Sequence, residues 1–248
     1  MGLKLFLHGV PDTLAMWDPL IAELELEDAA YHAPAMPGFV TPPQEGFAAT
    51  KEAYVDWYTA EIEKAHAASG PVDLVGHDWG AIITVRAASL RPDLINSWCV
   101  ANALPHPDYE WHRMARMWQT PVLGELIMAL TRKEALCKAL HAAGLPADLA
   151  SREASHWTPH MRKSILKLYR SAKTAGTDWW PEVANLPARG MVFWGEDDPY
   201  VPTSIAEKFC AHTGAALEKQ SQTGHWSVVE RADVLAGLLK QHWAQEQP

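Results

Sequence analysis

The 248-residue chain is short of several things, and each scarcity removes a class of function. Its three cysteines, Cys99, Cys137 and Cys210, lack metal-binding or redox spacing. They read as reduced, mostly buried thiols, which excludes a disulfide framework and a thiolate metal site. The 12 histidines never form H-E-x-x-H, so the zinc-hydrolase helix is absent. Basic residues never run longer than two, and 21 Lys and Arg face 30 Asp and Glu, for a formal net charge of −9. Phosphate recognition needs clustered cations, so nucleic acid is not an expected partner. No apolar run approaches the roughly 20 residues of a membrane helix. The opening "MGLKLFLHGV" has one Lys, a short apolar run and no cleavage-site pattern, so no signal peptide is expected. The composition predicts a cytoplasmic protein with no cofactor and no metal.

What is present is an ordinary globular chain, 48% apolar. Strand-like runs alternate with helical patterns, which predicts a mostly parallel, doubly wound α/β sheet. Strands are expected over 3–7, 29–34, 72–77, 95–103, 189–195 and 216–220. Helices are expected over 14–24, 51–68, 79–90 and 230–243. From about Leu104 to Leu186 the alternation stops and the chain reads as helical. The expected organisation is a core of 1–103 and 187–248 carrying an inserted helical cap of 104–186.

Three short stretches carry chemistry. "LVGHDWGA" (74–81) reads as strand, tight turn and helix, with Gly76 and Gly80 letting the backbone turn sharply. The tip of that turn is Asp78, where the related G-x-S-x-G pattern carries serine. Taken alone, Asp78 reads equally well as a helix N-cap. "FWGEDDPYVP" (193–202) offers Asp198, with Asp197 as competitor, as an acid able to orient a histidine. "TGHWSVVERAD" (223–233) offers His225 on a loop before the last helix, whereas the other eleven histidines read as surface residues. "HGVP" (8–11), after the first strand, frees the Val10 N–H to join that of Trp79 as an oxyanion hole. The order nucleophile, acid, histidine (78, 198, 225) is that of the α/β-hydrolase triad.

The chain therefore resembles the α/β-hydrolase fold, and within it the aspartate-nucleophile branch of epoxide hydrolases and haloalkane dehalogenases. The resemblance runs from residue 3 to about 243. It is tight at "HGVP", "GHDWGA", "WGEDDPYVP" and "GHWSVVER", and loose across 104–186. The family usually has two further strands before the "HG" strand, so either the sheet is smaller here or something else covers its edge.

A carboxylate is already ionised at pH 7 and suits displacement at an sp³ carbon bearing a leaving group. The resemblance implies an alkyl ester of Asp78, hydrolysed by water that His225 activates. It also implies leaving-group donors. For an epoxide these are two cap tyrosines, of which Tyr169 fits the pattern. Met114 occupies the other place, leaving Tyr109 or His112 as substitutes. For a halide the donors are indole N–H groups, namely Trp79 with Trp111, Trp118 or Trp157, since Val10 stands where the dehalogenases often have Asn. The expected substrate is a small apolar epoxide, with an alkyl halide as the alternative and a non-catalytic binding protein as a third. The expected partners are this substrate and water, with no membrane; a homodimer stays open.

Overall fold

The computed structural model describes residues 2–244. Six strands form one fully parallel sheet in the order β2-β1-β3-β4-β5-β6. They are β1 (Lys4–Leu7), β2 (Tyr31–His32), β3 (Val72–His77), β4 (Ile95–Ala101), β5 (Gly190–Gly195) and β6 (Ala216–Gln220). Helices α1 (Asp18–Leu24) and α12 (Ala232–Ala244) pack on one face. On the other lie α2 (Lys51–Ser69), α3 (Trp79–Leu90) and α10 (Thr203–Thr213). The four-residue α11 (Ser227–Glu230) precedes α12. Every residue of β1, β3 and β5 is buried, as expected of strands covered on both faces.

Between β4 and β5 the chain is helical: α4 (Arg113–Gln119), α5 (Leu123–Leu130), α6 (Lys133–Ala142), α7 (Ala147–Ser155), α8 (Pro159–Ser171) and α9 (Ala175–Trp179). Side-chain caps start several of these helices. Thr158 accepts the Met161 N–H at α8, and the His112 ring accepts the Ala115 N–H at α4.

Register puts the carboxyl ends of the strands side by side. Leu7 pairs with Gly76, His77 with Ala101, Ala101 with Phe193, and Gly195 with Gln220. Loops leaving these ends therefore converge on one edge, where open α/β sheets place their ligands. Gly80 makes the convergence close, since a Cβ there would stand 2.0 Å from the Leu7 carbonyl oxygen.

Several elements differ from expectation. The second strand shrinks to Tyr31–His32, paired only with Lys4 and Leu5, and Pro34 brings no N–H to extend it. The sheet edge on that side is thus two residues long, and such shortness itself blunts an edge. Helix 14–24 divides into a 3-10 turn (Leu14–Trp17) and α1, because Pro19 has no N–H to carry the α pattern backwards. β4 ends at Ala101, since Asn102 turns left-handed (φ 55°). The last helix is interrupted at Arg231 (φ −128°, ψ 40°).

Candidate active site

Asp78 sits at the turn between β3 and α3 with φ 51° and ψ −123°, a strained conformation for a non-glycine residue. The Ala101 carbonyl accepts its N–H at 3.0 Å. Gly9 lies directly against it: a Cβ there would come within 2.5 Å of the Asp78 Cβ. That contact lets the Val10 N–H donate to Asp78 Oδ1 at 2.8 Å, and the Trp79 N–H donates to the same carboxylate. The His8 ring fixes this loop, accepting the Met36 N–H at Nε2 and meeting the Gly9 carbonyl through Nδ1. Burial pushes the His8 pKa down to about 4, so the ring is neutral.

His225 bridges two carboxylates. Its Nδ1–H donates to Asp198 Oδ2 at 2.8 Å, and its Nε2 stands 3.5 Å from Asp78 Oδ2. Burial alone would depress its pKa, but the charges and hydrogen bonds of Asp198 and Asp78 outweigh that and push it up to about 10. Burial raises both carboxylates in turn, and the pairing with His225 more than reverses the effect, holding each below its ordinary value. Asp198, its side chain 1% exposed, is also held by the Tyr200 N–H (2.7 Å), the Val201 N–H (3.1 Å) and the Asn102 amide (2.8 Å). Asp197 is exposed, and the competition between the two acids is resolved geometrically in favour of contact between Asp198 and His225.

A cavity of about 370 Å³ opens above Asp78 and His225. Tyr169 (α8), Tyr109 and His112 all line it, as does Met114. Tyr169 is buried, with its ring edge-on to Trp79 (5.2 Å) and its hydroxyl in hydrogen-bonding contact with the Trp79 side chain. Burial and the nearby Asp78 charge push its pKa well up, so it is a protonated phenol. Tyr109 is raised by burial too, with added contributions from the Asp78 and Asp198 charges, and its hydroxyl accepts the backbone N–H of His112. His112 uses Nδ1 as its helix cap, which leaves Nε2 to carry the proton. Of the three candidate indoles in 104–186, Trp111 and Trp157 donate to the carbonyls of Lys173 (3.3 Å) and Thr131 (2.9 Å), so neither is free for a ligand. The buried Trp118 N–H has no hydrogen-bond partner, and its ring lines the cavity.

Sequence reasoning missed several groups here. Tyr200 lines the cavity with its ring edge-on to His225 at 4.9 Å. It stands two residues after Asp198 inside an already conspicuous motif, which was the available signal. Asn102 ties the Asp198 loop to Ser227, and its place at the end of β4 marks it. The expectation of surface histidines fails at His8 and His77, both fully buried. His77 Nε2–H donates to the His225 carbonyl at 2.8 Å, and its Nδ1 lies 3.8 Å from Asp12. Asp12, which no motif indicated, accepts the Trp226 indole N–H at 3.1 Å. Behind Asp12 lies Glu153 of α7, fully buried, whose pKa burial pushes up to about 7. Among the described residues no group of three or more His, Cys, Asp or Glu is placed to hold a metal ion.

Comparison with known proteins agrees with this architecture. The AB hydrolase superfamily protein YfhM of Bacillus subtilis (strain 168) is 22% identical, covering 97% of this chain and 89% of its own. Haloalkane dehalogenase DbeA from Bradyrhizobium elkani USDA94 superposes with a TM-score of 0.77 at 21% identity, covering 98% of this chain and 91% of that one. Epoxide hydrolase VrEH1 from Vigna radiata superposes with a TM-score of 0.75 at 19% identity, covering 97% and 90%. The family model described as the alpha/beta hydrolase family matches residues 5–238, and the chain belongs to that family.

Proposed function

We propose that the protein hydrolyses a small apolar epoxide to a diol through an ester of Asp78. The observation that carries this reading is the setting of the Asp78 carboxylate: ionised, capped by two backbone N–H groups, and facing a protonated His225. A carboxylate needs no base to remove a proton before it attacks, and the charge of Asp78 itself helps keep His225 protonated.

The chemistry runs in two halves. An Asp78 oxygen attacks an epoxide carbon, the C–O bond of the ring breaks, and the Tyr169 O–H gives its proton to the leaving oxygen. Ester formation discharges Asp78. His225 loses one of its two carboxylate partners, its proton affinity falls, and it returns a proton to the tyrosinate. Now neutral, it takes a proton from water as the water oxygen attacks the ester carbonyl. The N–H groups of Val10 and Trp79 then face the developing oxyanion. Collapse releases the diol, whose leaving oxygen takes the second water proton, and restores Asp78 as carboxylate.

An epoxide is favoured over a halide by the hydroxyls. Tyr109 and Tyr169 share the cavity with Asp78, and a departing alkoxide needs an acidic O–H. The unpartnered Trp118 N–H favours the second reading, displacement of halide from an alkyl chain. The test is a His225→Gln enzyme incubated with styrene oxide, an aliphatic epoxide and 1-bromobutane. Intact mass is expected to show enzyme plus whole epoxide, and Asp78→Asn is expected to show none. An adduct with the bromoalkane alone selects the halide reading, and no adduct with any electrophile points to a non-catalytic binder.

A further inference from the structure

Eight large apolar side chains stand exposed among the described residues, and five of them lie together. Leu123, Leu126 and Leu130 follow one face of α5, Val122 caps its start, and Met114 lies on α4, which packs against α5. The outermost are Val122 at 78% and Leu130 at 70% exposure. A soluble surface scatters such residues singly, and a cluster marks something that covers it. The backbone holds the cluster out. Val122 sits at φ 70°, a conformation that a β-branched residue rarely adopts. Its N–H donates to Glu125 at 2.9 Å, and Arg170 clamps Glu125 in turn at 2.6 and 2.7 Å.

Charge says what covers it. Residues 104–186 carry 11 Lys and Arg against eight Asp and Glu, whereas the rest of the chain carries 10 against 22. The helical segment is thus net positive on a strongly negative protein. Its cations gather at the ridge: Arg132 and Lys133 follow its end, and Arg162, Lys163 and Lys167 of α8 line a groove beside Met128 and Ala129 of α5. Two copies meeting ridge to ridge across a two-fold axis would set these cations against one another. An anionic lipid surface meets both features at once, taking apolar side chains into the headgroup boundary and basic ones at its charged plane. The helix that carries the ridge also walls the cavity, since Ile127 of α5 lines it together with Trp118 and Met114 of α4.

We propose that α5, with Val122, is a docking ridge for an anionic lipid surface. The sequence led us to expect no membrane partner because no run can span one. Lying on a surface needs no spanning segment, and among the described residues no helix is long and apolar enough to cross. The uneven charge orients the protein with its basic end toward the lipid despite its overall −9. Docking stands independently of what the cavity hydrolyses. Taken with the proposed function, it lets a lipophilic substrate reach Asp78 from the bilayer.

The test is co-sedimentation of the full chain with vesicles of phosphatidylcholine, with and without phosphatidylglycerol. Binding to the anionic vesicles at low salt is expected, with release near 1 M salt, where screening reaches about 3 Å. The double variant Leu126→Glu, Leu130→Glu should lose at least about tenfold in bound fraction. Both residues lie off the cavity, so its activity and melting temperature in vesicle-free buffer should match the parent. Lys163→Glu, Lys167→Glu keeps the apolar ridge and should weaken the salt dependence along with binding. Parent protein that stays in the supernatant with both vesicles at low salt overturns the proposal. So does a parent dimer that the Leu variant converts to monomer, because the ridge would then be a contact between copies.

Discussion

The two walls of the cavity are built on different physics. The sheet-side wall holds all its charge, in Asp78 and His225 with Asp198 behind them, and each of these groups is matched by hydrogen bonds or an ion pair of about 2.7–3.5 Å. The helical wall brings no charged side chain to the cavity, only rings, aliphatic groups and neutral donors such as Tyr169, Tyr109 and His112. Charges aimed at a reacting atom lose their value when displaced slightly, and strand ends hold them rigidly. Rings packed on helices tolerate rearrangement and set shape. On the proposed mechanism, bond making would belong to the sheet side, and choice of substrate and leaving group to the helices.

That division can be broken by variants on each side. The largest effect is expected from Asp78→Asn, with turnover falling by about 10⁴-fold or more on every substrate. Asp198→Asn should cost about 10³ to 10⁴-fold in ester hydrolysis while alkylation survives, and Asp197→Asn should stay within about twofold of the parent. Single-turnover mass spectrometry separates the two halves. Next comes Tyr169→Phe, with a loss on the order of 10²-fold in alkylation by an epoxide and little change with 1-bromobutane. A Tyr169→Phe enzyme that opens epoxides at the parent rate would falsify the assignment of this hydroxyl. Trp118→Phe should change KM by less than about tenfold and only for some substrates. If it slows every substrate equally, the helical wall does more than choose.

The smallest effect lies behind the sheet-side wall. Glu153 has its ordinary pKa of 4.5 raised to about 7 by burial, so the folded protein holds a proton there that the unfolded chain gives up. Stability from this group is complete below about pH 4.5 and is lost as pH rises through about 7. Buried His8 pulls stability the other way over much of the same range, so the Glu153 contribution is read as a difference: the melting temperature of the parent relative to that of Glu153→Gln should fall across that window. Parallel slopes in the two proteins would show that Glu153 does not titrate there.

The sequence made the sheet-side wall legible because its chemistry is local. A glycine that must admit a backbone neighbour, such as Gly80 beside Leu7, leaves its mark within a few residues of the group it serves. The order along the chain did the rest for Asp198 and His225. The helical wall was read only by candidates, since which side of α4 or α8 faces inward depends on packing between helices far apart in sequence. Tyr109 illustrates this: out of register with the expected tyrosine, it still reaches the cavity and shares it with Tyr169. Asp12, His77 and Glu153 were missed for a further reason. Their buried contacts join residues 12, 77, 153 and 226, and no local spacing announces such a cluster.

The close approach of Gly9 to Asp78 bears on how such a chain can change over generations. A methyl group at residue 9 would collide with the Asp78 side chain, and one at residue 80 with the neighbouring strand. Position 78 lines the cavity, so a side chain smaller than aspartate meets no such collision there, although it must accept the same strained turn. The frame of the turn is therefore the stricter constraint, and the tip it presents the looser one. On the proposed mechanism, a single replacement that exchanged the carboxylate for a hydroxyl would also exchange one class of leaving group for another. It cannot rebuild the turn that displays them without moving two strands. Inheritance on this scaffold should conserve the empty places more strictly than the reacting atom itself.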